Sequence, residues 1–404
     1  MRILQVGPIP PEVGGQTGGG VASHLWALAA HLTNQGHTVG VLSDNYLAKD
    51  PSFENIDDIQ IFGLTRVQSS INVGIIFYLN LWWKIIRTKI HFGSLMSWKR
   101  VMAGLLNYHR VINTFKPDLI HIHHLEYRFP FVYFTVGDSI PILTTVHSTS
   151  FIEFSQTAAA RERKKFVLRN LDLARNLIFV SRFLESRFEA IFPGTLEEKN
   201  TTIIHNPVSG TVYHSLSKEL AREKLGLQLE GSLLLFVGNL IPHKGLDILI
   251  EAVRILQAKG LALQLLVAGS GPEKAELEVL VGDHQLAKQV RFEGERSLDE
   301  LVLYYNAADL LVLPSAMESF GLVFVEAMLC GCPVMGRAEV LQEILPSERC
   351  GVYLPSSDPD DWAEAIAVAL NQSWSGDEIR ELARVYTWDS LEGKFERIYT
   401  QVSA

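Results

Sequence analysis

Two glutamates eight positions apart, Glu318 and Glu326, stand where this sequence could do chemistry. The apolar run from Asp309 to Leu313 before them predicts a buried parallel strand, closed by a Pro-Ser pair. A second apolar segment, Leu322 to Leu329, predicts a buried helix. Glu318 would therefore lie just ahead of the helix, and Glu326 would lie more than one turn inside it.

The start of this predicted helix offers a position for an anion. The backbone amides of Phe320, Gly321 and Leu322 would be its first donors, which lack partners within the helix. A carboxylate at Glu318 can accept hydrogen bonds from sugar hydroxyls, and Glu326 can hold both hydroxyls of a ribose. The pair therefore points to a nucleotide-sugar site. The alternative is that Glu318 only meets the helix dipole and that Glu326 is an ordinary surface residue.

Strand-like runs alternate with helix-length segments along the chain, which predicts an α/β protein with parallel sheets and helices on both faces. This alternation of strand-like and helix-length segments is interrupted near Asn206 and Pro207 and then begins again. We therefore predict two Rossmann-like domains facing a cleft, residues 1–206 and 207–386, with an amphipathic helix at 387–402 crossing back to the first domain. The predicted strands are Ile3 to Val6, Thr38 to Leu42, Leu119 to His123, Ile142 to Val146, Leu177 to Val180, Thr202 to Ile204, Leu233 to Val237, Leu263 to Ala268, Val290 to Glu293, Leu310 to Leu313 and Pro333 to Met335.

Composition narrows the class of protein. At 404 residues the chain is too long for one ordinary core, which also favours two domains. A hydrophobic content of 47% fits a globular protein, and a net charge of −9 argues against nucleic acid as a partner. The three cysteines form neither a metal-binding spacing nor a disulfide framework, which favours a reducing cytoplasm. The first residues do not resemble a signal peptide, and the longest apolar run, Gly74 to Trp83, is about half of a ~20-residue membrane span.

The segment 71–110 does not follow the alternation of strand-like and helix-length segments. Apolar and aromatic residues such as Trp82 and Trp83 alternate there with basic ones such as Lys84 and Arg87. A basic amphipathic surface of this kind can lie on the inner face of a membrane or face a lipid-linked acceptor. The interpretation that we favour is plainer: ordinary helices of the first domain with snorkelling basic side chains.

A glycine-rich loop, Gly14 to Gly20, follows the first predicted strand and precedes a predicted helix from Val21 to Gln35. Glycines such as Gly19 and Gly20 let a backbone approach a phosphate or a sugar closely. The loop is neither a Rossmann dinucleotide fingerprint nor a P-loop, because no Lys-Ser/Thr pair follows it. A flexible loop without a ligand is the equal alternative.

The matching loop of the second half runs from Val237 to Gly245, ahead of a predicted helix that begins near Leu246. Lys244 in this loop could neutralise a pyrophosphate leaving group as its bond to the sugar breaks. The alternative is an ordinary solvated lysine.

Histidines gather at two predicted strand ends, with His121, His123 and His124 at one and His147 at the next. Metal binding is one use of such a set. No carboxylate-rich metal site accompanies it, so we predict no bound metal and expect His147 to contact substrate. We expect His121 and His124 to be structural histidines. No Gly-x-Ser-x-Gly motif supports a hydrolase triad.

Taken together, these residues resemble the retaining glycosyltransferases of family 4, whose fold is called GT-B. The resemblance runs nearly end to end, and its most specific element is the Glu318 to Glu326 pair followed by Gly331-Cys-Pro-Val334. The weaker matches, whose order and spacing add weight, are Gly19-Gly20, Lys116 to His123, Thr145-Val-His147, Phe179-Val-Ser181, His205 to Val208, Val237 to Leu240, Lys244-Gly245, Val267 to Pro272 and Tyr304 to Ser315.

The resemblance implies a role for each matching residue of the second domain. Glu318 would contact hydroxyls of the donor sugar, and Glu326 would contact the ribose of the nucleotide. The amides of residues 320–322 would meet the sugar or the diphosphate. Lys244 would meet the diphosphate.

In the first domain, the resemblance implies that His147 contacts the donor sugar from across the cleft. Gly19 and Gly20 would approach the phosphates or the acceptor. It also implies that no metal or other cofactor is needed, because basic side chains and helix termini supply the positive charge.

This sequence departs from the family pattern at two places. Asn239 stands where the family usually has an arginine at the diphosphate, so that another cation would have to compensate, and Arg337 is our candidate. The usual glycine pair after Pro333-Val334 is replaced by Gly336 to Val340, which affects the expected diphosphate or acceptor contacts of that loop.

The activity that the resemblance implies is transfer of a sugar from a nucleotide-diphosphate sugar to a hydroxyl acceptor with retention, in glycan, polysaccharide or glycolipid biosynthesis. Two other classes stay open. One is a nucleotide-sugar epimerase or hydrolase on the same fold, and the other is a non-catalytic GT-B module that binds a sugar. The sequence names neither the base, nor the sugar, nor the acceptor.

Overall fold

The computed structural model describes residues 1–16, 19–44, 46, 53–64, 98–125, 128–149, 157–227 and 231–404. The chain divides into two compact units, one of residues 1–204 with 393–404, the other of residues 205–392. The boundaries predicted from the sequence were residues 206 and 386.

The first unit is built on an eight-stranded sheet flanked by helices. Its strands are β1 (Arg2–Val6), β2 (Thr38–Ser43), β3 (Glu54–Ile56), β4 (Ile59–Gly63), β5 (Leu119–His123), β6 (Ile142–Val146), β7 (Asn176–Phe179) and β8 (Asn200–Ile203). Its helices are α1 (Gly20–Asn34), α2 (Trp98–Phe115), α3 (Arg128–Val136), α4 (Ala158–Leu171) and α5 (Arg182–Ile191).

The strand order in this sheet is β3-β4-β2-β1-β5-β6-β7-β8. The predicted parallel arrangement is confirmed from β4 to β8, and every residue of β5 is buried, as expected for a strand covered on both faces. The edge strand β3 is antiparallel to β4, so the sheet is mixed. The sequence did not predict this hairpin. Its signal was the pair Asp57 and Asp58, whose φ of 50° and 62° suit a two-residue turn.

The second unit is built on a six-stranded sheet that is parallel throughout, in the order β11-β10-β9-β12-β13-β14. Its strands are β9 (Ser232–Val237), β10 (Leu263–Ala268), β11 (Val290–Gly294), β12 (Leu310–Leu313), β13 (Val334–Gly336) and β14 (Gly351–Tyr353). Its helices are α6 (Lys218–Lys224), α7 (Leu246–Ala258), α8 (Lys274–Asp283), α9 (Leu298–Ala307), α10 (Leu322–Leu329), α11 (Val340–Ile344), α12 (Pro359–Asn371) and α13 (Gly376–Ala383).

The last helix, α14 (Trp388–Ser403), begins in the second unit, and its final residues belong to the first. The hydroxyl of Tyr399 lies 2.9 Å from Nδ1 of His121 on β5 and 3.3 Å from Nε2 of Gln5 on β1. Nearby, Glu396 pairs with His37 at 2.7 Å. The predicted return of the C-terminal helix to the first domain is confirmed.

The basic amphipathic segment 71–110 is described only in part. Residues 71–97 lie outside the described residues, and residues 98–110 belong to α2. The membrane-surface hypothesis for this segment therefore stays a prediction. Among the helices that the structure describes, none combines the length and the apolar character needed to cross a membrane.

Candidate active site

The chain order of the second sheet reverses at its centre, where β9 lies between β10 and β12. β9 and β12 are direct neighbours, with Leu234 opposite Leu310 and Leu235 opposite Leu311. In open α/β sheets, ligands bind beyond the carboxyl ends of the strands at such a reversal. The loop that follows β9 and the loop that follows β12 both start at this edge, and they carry Lys244 and Glu318.

Lys244 and Glu318 form an ion pair, in which Nζ donates to Oε1 at 2.6 Å. Their side chains are only 17% and 12% exposed, so the pair is largely withdrawn from water, and its interaction is screened less than a surface pair would be. The sequence assigned both residues to the site but did not predict that they touch. An anion that approached Lys244 would compete with Glu318 for the ammonium group.

The turn that carries Lys244 is held against the loop after β12. A 3-10 turn, Pro242–Lys244, ends at Gly245 in the left-handed conformation, with φ of 69°. A Cβ on Gly245 would lie 2.6 Å from the carbonyl oxygen of Pro314, so only glycine allows this approach. The amide of Ala316 donates to the carbonyl of His243 at 2.8 Å. These contacts fix the separation of Lys244 and Glu318.

Helix α10 begins at Leu322, and its bounds are those that the sequence predicted. Gly321 caps it with φ of 80°, and a Cβ there would lie 2.7 Å from the ring of Phe324. Because the first amides of a helix have no intrahelical acceptor, residues 321 and 322 present donors at this edge of the sheet. This backbone geometry is of the kind that suits an anion, and the assignment of these amides to the donor stays a prediction.

Phe320 is buried and anchors the loop ahead of α10. Its ring stacks on His205 with centroids 5.5 Å apart, and it meets Tyr386 edge-on at 5.9 Å. His205 is fixed in turn by Glu343, whose Oε1 lies 2.9 Å from Nε2. Sequence analysis assigned no role to His205, although it belongs to the matching stretch His205 to Val208. Its position makes it a support for the loop of Glu318.

Glu326 is held by two tyrosines that the sequence did not single out. The hydroxyl of Tyr305 on α9 donates to Oε2 of Glu326 at 2.6 Å, and Tyr213 also hydrogen-bonds to this carboxylate. Burial raises the pKa of Glu326, and the hydrogen bonds from Tyr305 and Tyr213 oppose that rise. Glu326 is therefore not an ordinary surface residue. The nearest sequence signal was the matching stretch Tyr304 to Ser315, which includes Tyr305.

The two departures from the family pattern lie at the same edge. Asn239 follows β9 and is exposed. Arg337 follows β13, and its amide donates to the carbonyl of Leu313, the last residue of β12, at 3.4 Å. Arg337 therefore stands on the loop next to that of Glu318, where a compensating cation would have to be.

In the first unit, the glycine-rich loop leads directly into α1. Gly19 is the N-cap, with φ of 115°, and Gly20 is the first helical residue, one position before the predicted start. Both glycines are exposed. Residues 17 and 18 lie outside the described residues, so the assignment of this loop to phosphate or acceptor stays a prediction.

His147 follows β6 and belongs to a buried chain of hydrogen bonds. Its Nε2 lies 2.9 Å from Nδ1 of His123, and Nε2 of His123 lies 2.9 Å from Oε1 of Gln5. A carboxamide oxygen only accepts, so Nε2 of His123 carries the proton and its Nδ1 accepts. Nε2 of His147 must then donate, which leaves the Nδ1 of a neutral His147 as an acceptor.

The same chain continues to the C-terminal helix. Gln5 donates through Nε2 to the hydroxyl of Tyr399 at 3.3 Å. Tyr399 can then donate to Nδ1 of His121, whose Nε2 lies 2.7 Å from Oγ1 of Thr145. Both ring nitrogens of His121 are therefore occupied, as expected for a structural histidine. Sequence reasoning did not connect Gln5 or Tyr399 with His147.

Burial keeps the histidines of this region neutral. It lowers the pKa of His24 to about 4 and that of His124 to about 4. It also lowers the pKa values of His123 and His147 well below the ordinary range, and repulsion from neighbouring histidines adds to the effect. One nitrogen from each of His24, His123 and His147 lies within 4.8 Å of the other two.

A pocket of about 480 Å³ opens at the other edge of the second sheet, near the first residues of β9, β12 and β13. Ser232, Asp309, Cys332 and Trp374 are among its lining residues. None of the residues that the sequence assigned to the site lines this pocket, although Tyr305, the partner of Glu326, does.

Two family matches account for most of the chain. Residues 18–211 match the family described as "Glycosyltransferase Family 4", and residues 217–385 match the family described as "Glycosyl transferases group 1". An uncharacterized glycosyltransferase from Methanocaldococcus jannaschii is 26% identical over 395 residues, which cover 94% of each chain.

Solved structures extend the likeness over the whole fold. The sucrose-phosphate synthase of Thermosynechococcus elongatus superposes with a TM-score of 0.77 at 21% identity, covering 100% of this chain and 99% of that one. The Anabaena protein HepE, solved in complex with UDP and glucose, superposes with a TM-score of 0.72 at 18% identity, again covering 100% and 99%. The predicted GT-B fold is confirmed by this likeness.

Proposed function

The chain belongs to the group 1 glycosyltransferases of family 4, and from that premise we propose that it transfers a sugar from a nucleotide-diphosphate sugar to a hydroxyl acceptor with retention of anomeric configuration. A glycan, a polysaccharide or a glycolipid would be the product. HepE was solved with UDP, so UDP-sugars are the first donors to try. The three buried, free thiols of Cys330, Cys332 and Cys350 are consistent with a reducing cytoplasm as the site of action.

The observation that carries the proposal is the Lys244–Glu318 pair beside the start of α10. The ammonium of Lys244 would neutralise the diphosphate as the bond from its oxygen to the anomeric carbon breaks. Glu318, released from part of its ion pair, would accept hydrogen bonds from donor-sugar hydroxyls. The amides of Phe320, Gly321 and Leu322 would meet the sugar or the diphosphate.

The reaction that we propose needs no protein nucleophile. The acceptor oxygen bonds to the anomeric carbon on the face from which the diphosphate departs, and the acceptor proton passes to the departing phosphate oxygen. The protein then acts by orienting the two substrates and by stabilising charge. Glu326 would hold the ribose, and the Nδ1 of His147 would accept a hydrogen bond from a donor-sugar hydroxyl. Gly19 and Gly20 would lie near the phosphates or the acceptor.

Positive charge in the proposed mechanism comes from the chain itself. Lys244 supplies one cation at the diphosphate, and Arg337 on the neighbouring loop would supply the second in place of the arginine that Asn239 replaces. The amino end of α10 adds a partial positive charge. We therefore propose that transfer proceeds without a metal ion.

The first test is a thermal-shift screen of the purified protein against UDP, GDP, ADP and their sugar conjugates, with and without EDTA. A ligand that binds only the folded protein raises its apparent stability, by about 2.7 kcal/mol at a hundred times its Kd. We expect a shift that is selective for one base and insensitive to EDTA. A folded sample that responds to no nucleotide would instead favour the non-catalytic sugar-binding module. The two departures from the family pattern, at Asn239 and at residues 336–340, would be consistent with such a module.

The second test uses the donor found in the first, with panels of lipid-linked, polysaccharide and small-molecule acceptors. Proton NMR of the product reads the anomeric configuration, and the proposal predicts that of the donor. An inverted product would disprove retention. Rapid release of free sugar, or interconversion of the donor without an acceptor, would indicate a hydrolase or an epimerase instead.

A further inference from the structure

A buried chain of hydrogen bonds connects His147 with the C-terminal helix. It runs from Nε2 of His147 to Nδ1 of His123 at 2.9 Å, and from Nε2 of His123 to Oε1 of Gln5 at 2.9 Å. Nε2 of Gln5 then donates to the hydroxyl of Tyr399 at 3.3 Å. Gln5, His123 and Tyr399 are 0% exposed, so bulk water does not replace a partner that is lost from this hydrogen-bond chain.

The members of the hydrogen-bond chain each donate one bond and accept one, so all the bonds point in the same direction. A neutral imidazole has one protonated and one unprotonated nitrogen, and a carboxamide has one donor end and one acceptor end. Burial keeps His123 and His147 neutral, because it lowers their pKa values well below the ordinary range. The hydrogen-bond chain can therefore take only two directions, and one fixed member determines the others.

Gln5 is the member that selects the direction. Its Oε1 faces His123, and its Nε2 faces Tyr399. Because the oxygen only accepts, the proton of His123 lies on Nε2, and the proton of His147 lies on its own Nε2. Turning the carboxamide over would reverse every bond and would place a proton on Nδ1 of His147.

Neighbouring rings hold the plane of the His147 ring. His123 lies nearly parallel to it, with 17° between the planes, and His24 and His124 pack against it with centroids 5.2 and 5.4 Å away. His147 is 5% exposed and its Nε2 is engaged by His123, so Nδ1 is the nitrogen that remains for a ligand. The placement of one proton thus decides whether this nitrogen accepts or donates.

We propose that Gln5 and Tyr399 are positioning residues, which keep Nδ1 of His147 unprotonated so that it accepts a hydrogen bond from a hydroxyl of the donor sugar. The proposal rests on the proposed function, in which His147 contacts that sugar. Both positioning residues are fully buried, so they act on the substrate only through His123 and His147. A hydroxyl that donates to Nδ1 keeps its own oxygen free to accept from other groups of the site.

Magic-angle-spinning NMR of the full-length protein, labelled with ¹⁵N-histidine, tests the tautomer without any substrate. Protonated and unprotonated ring nitrogens have well-separated ¹⁵N chemical shifts, and the difference between wild type and His147→Ala isolates the signals of His147. The comparison set is wild type, Gln5→Leu, Tyr399→Phe and the control Tyr108→Phe, which removes a buried hydroxyl of α2 outside the hydrogen-bond chain. Circular dichroism and thermal unfolding confirm that each variant is folded.

We expect Nδ1 of His147 to be unprotonated in wild type and in Tyr108→Phe. Gln5→Leu and Tyr399→Phe should each give a mixture of the two tautomers, because the first removes the carboxamide and the second removes the contact that orients it. A protonated Nδ1 in wild type would overturn the proposal. So would a Gln5→Leu protein with the wild-type tautomer. If Gln5→Leu does not fold, Tyr399→Phe decides the question in the same way.

A double-mutant cycle in the transfer reaction tests the positioning role itself. Gln5→Leu should lower kcat/KM for the donor about tenfold and Tyr399→Phe about threefold, which are effects of the size of one hydrogen bond. In a His147→Ala background, each should change kcat/KM by less than about twofold, because the route to the substrate is gone. A merely structural role would lower kcat/KM by the same factor in both backgrounds, and that result would overturn the proposal.

The two measurements distinguish a failure of this proposal from a failure of the proposed function. A transferase in which the effects of Gln5→Leu and His147→Ala simply add would retain the function and lose the positioning role. A protein with the expected tautomers that transfers no sugar would retain the control of His147 by Gln5, and would lose both the proposed function and the role of that control in transfer.

Discussion

Lys244 and Glu318 lie 74 positions apart in the chain, yet their side chains meet at 2.6 Å, at the edge of the sheet where β9 and β12 end. Neither side chain would be stable alone as a buried charge at this position. A lone lysine would be solvated, and a lone buried carboxylate would be costly, whereas the two together keep a cation and an anion ready at one place. A donor diphosphate would have to draw the ammonium partly away from Glu318, which frees that carboxylate for the sugar.

Lys244→Ala is expected to lower kcat by about 10²–10³-fold, because it removes charge stabilisation at the leaving group. Lys244→Arg should recover part of that loss. The matched control is Lys274→Ala, a lysine that is 46% exposed and pairs with Glu278 on the surface of α8. Steady-state kinetics with the donor identified by thermal shift measures the effect. Equal turnover by Lys244→Ala and Lys274→Ala would refute the assignment.

Glu326→Ala is expected to raise the donor KM about tenfold, which corresponds to about 1.4 kcal/mol, with a smaller change in kcat. The truncation also leaves the hydroxyl of Tyr305 without its acceptor, at a cost of about 1–3 kcal/mol in stability. Tyr305→Phe separates the two effects, because it keeps the carboxylate. It should destabilise the protein but leave the donor KM within about threefold of wild type. A KM that rises equally in both variants would mean that Glu326 acts only through packing.

Gly245→Ala should destabilise the second unit more than Gly260→Ala does. Both glycines have left-handed backbones, with φ of 69° and 81°, and so share a strain of about 1–3 kcal/mol on substitution. Only at Gly245 would the new Cβ meet a carbonyl oxygen, that of Pro314, at 2.6 Å; at Gly260 nothing lies within 4 Å. Midpoints of urea unfolding compare the two variants. Gly245→Ala should also lower kcat, since it pushes Lys244 away from Glu318.

Arg337→Ala should lower kcat if Arg337 supplies the cation that Asn239 does not. The control is Arg349→Ala, which removes an arginine that is 67% exposed and pairs with Glu378. Adding Asn239→Arg to Arg337→Ala should then restore part of the turnover, because it returns a cation to the loop after β9. If Arg337→Ala behaves like Arg349→Ala, then Arg337 is not the compensating charge.

The stability of the first unit should rise with pH between about 4 and 6.5, because His24 has a pKa of about 4 when folded and an ordinary value of 6.5 when unfolded. In that window the unfolded chain binds more protons, so acid favours unfolding, by up to ~1.4 kcal/mol per pH unit for one histidine. The stabilisation is fully present above 6.5 and is lost as the pH falls towards 4. His24→Gln should reduce the slope by about one proton relative to wild type. Thermal unfolding in a pH series measures both slopes.

Local patterns in the sequence were enough to predict many of the helices and strands. Helix α10 has the predicted bounds, and β12 coincides with its apolar run. A run of four buried apolar residues that ends at a Pro-Ser pair is a local pattern, so it can be recognised without knowing the tertiary structure. The hairpin of β3 and β4 and the short strand β14 were not predicted. These strands are only three to five residues long, and β3 and β14 lie at the edges of their sheets, where burial leaves a weaker pattern.

The sequence by itself determined the α/β class, the alternation that yields two sheets, and the residue types that a nucleotide-sugar site needs. It did not determine their partners. Three sets of contacts are consequences of the tertiary structure. Lys244 pairs with Glu318, and Tyr305 donates a hydrogen bond to Glu326. A chain of hydrogen bonds also links Tyr399 through Gln5 and His123 to His147. Tyr399 lies 394 positions from Gln5. Such contacts leave no periodic pattern along the chain, because they depend on how strands pair and on where helices return.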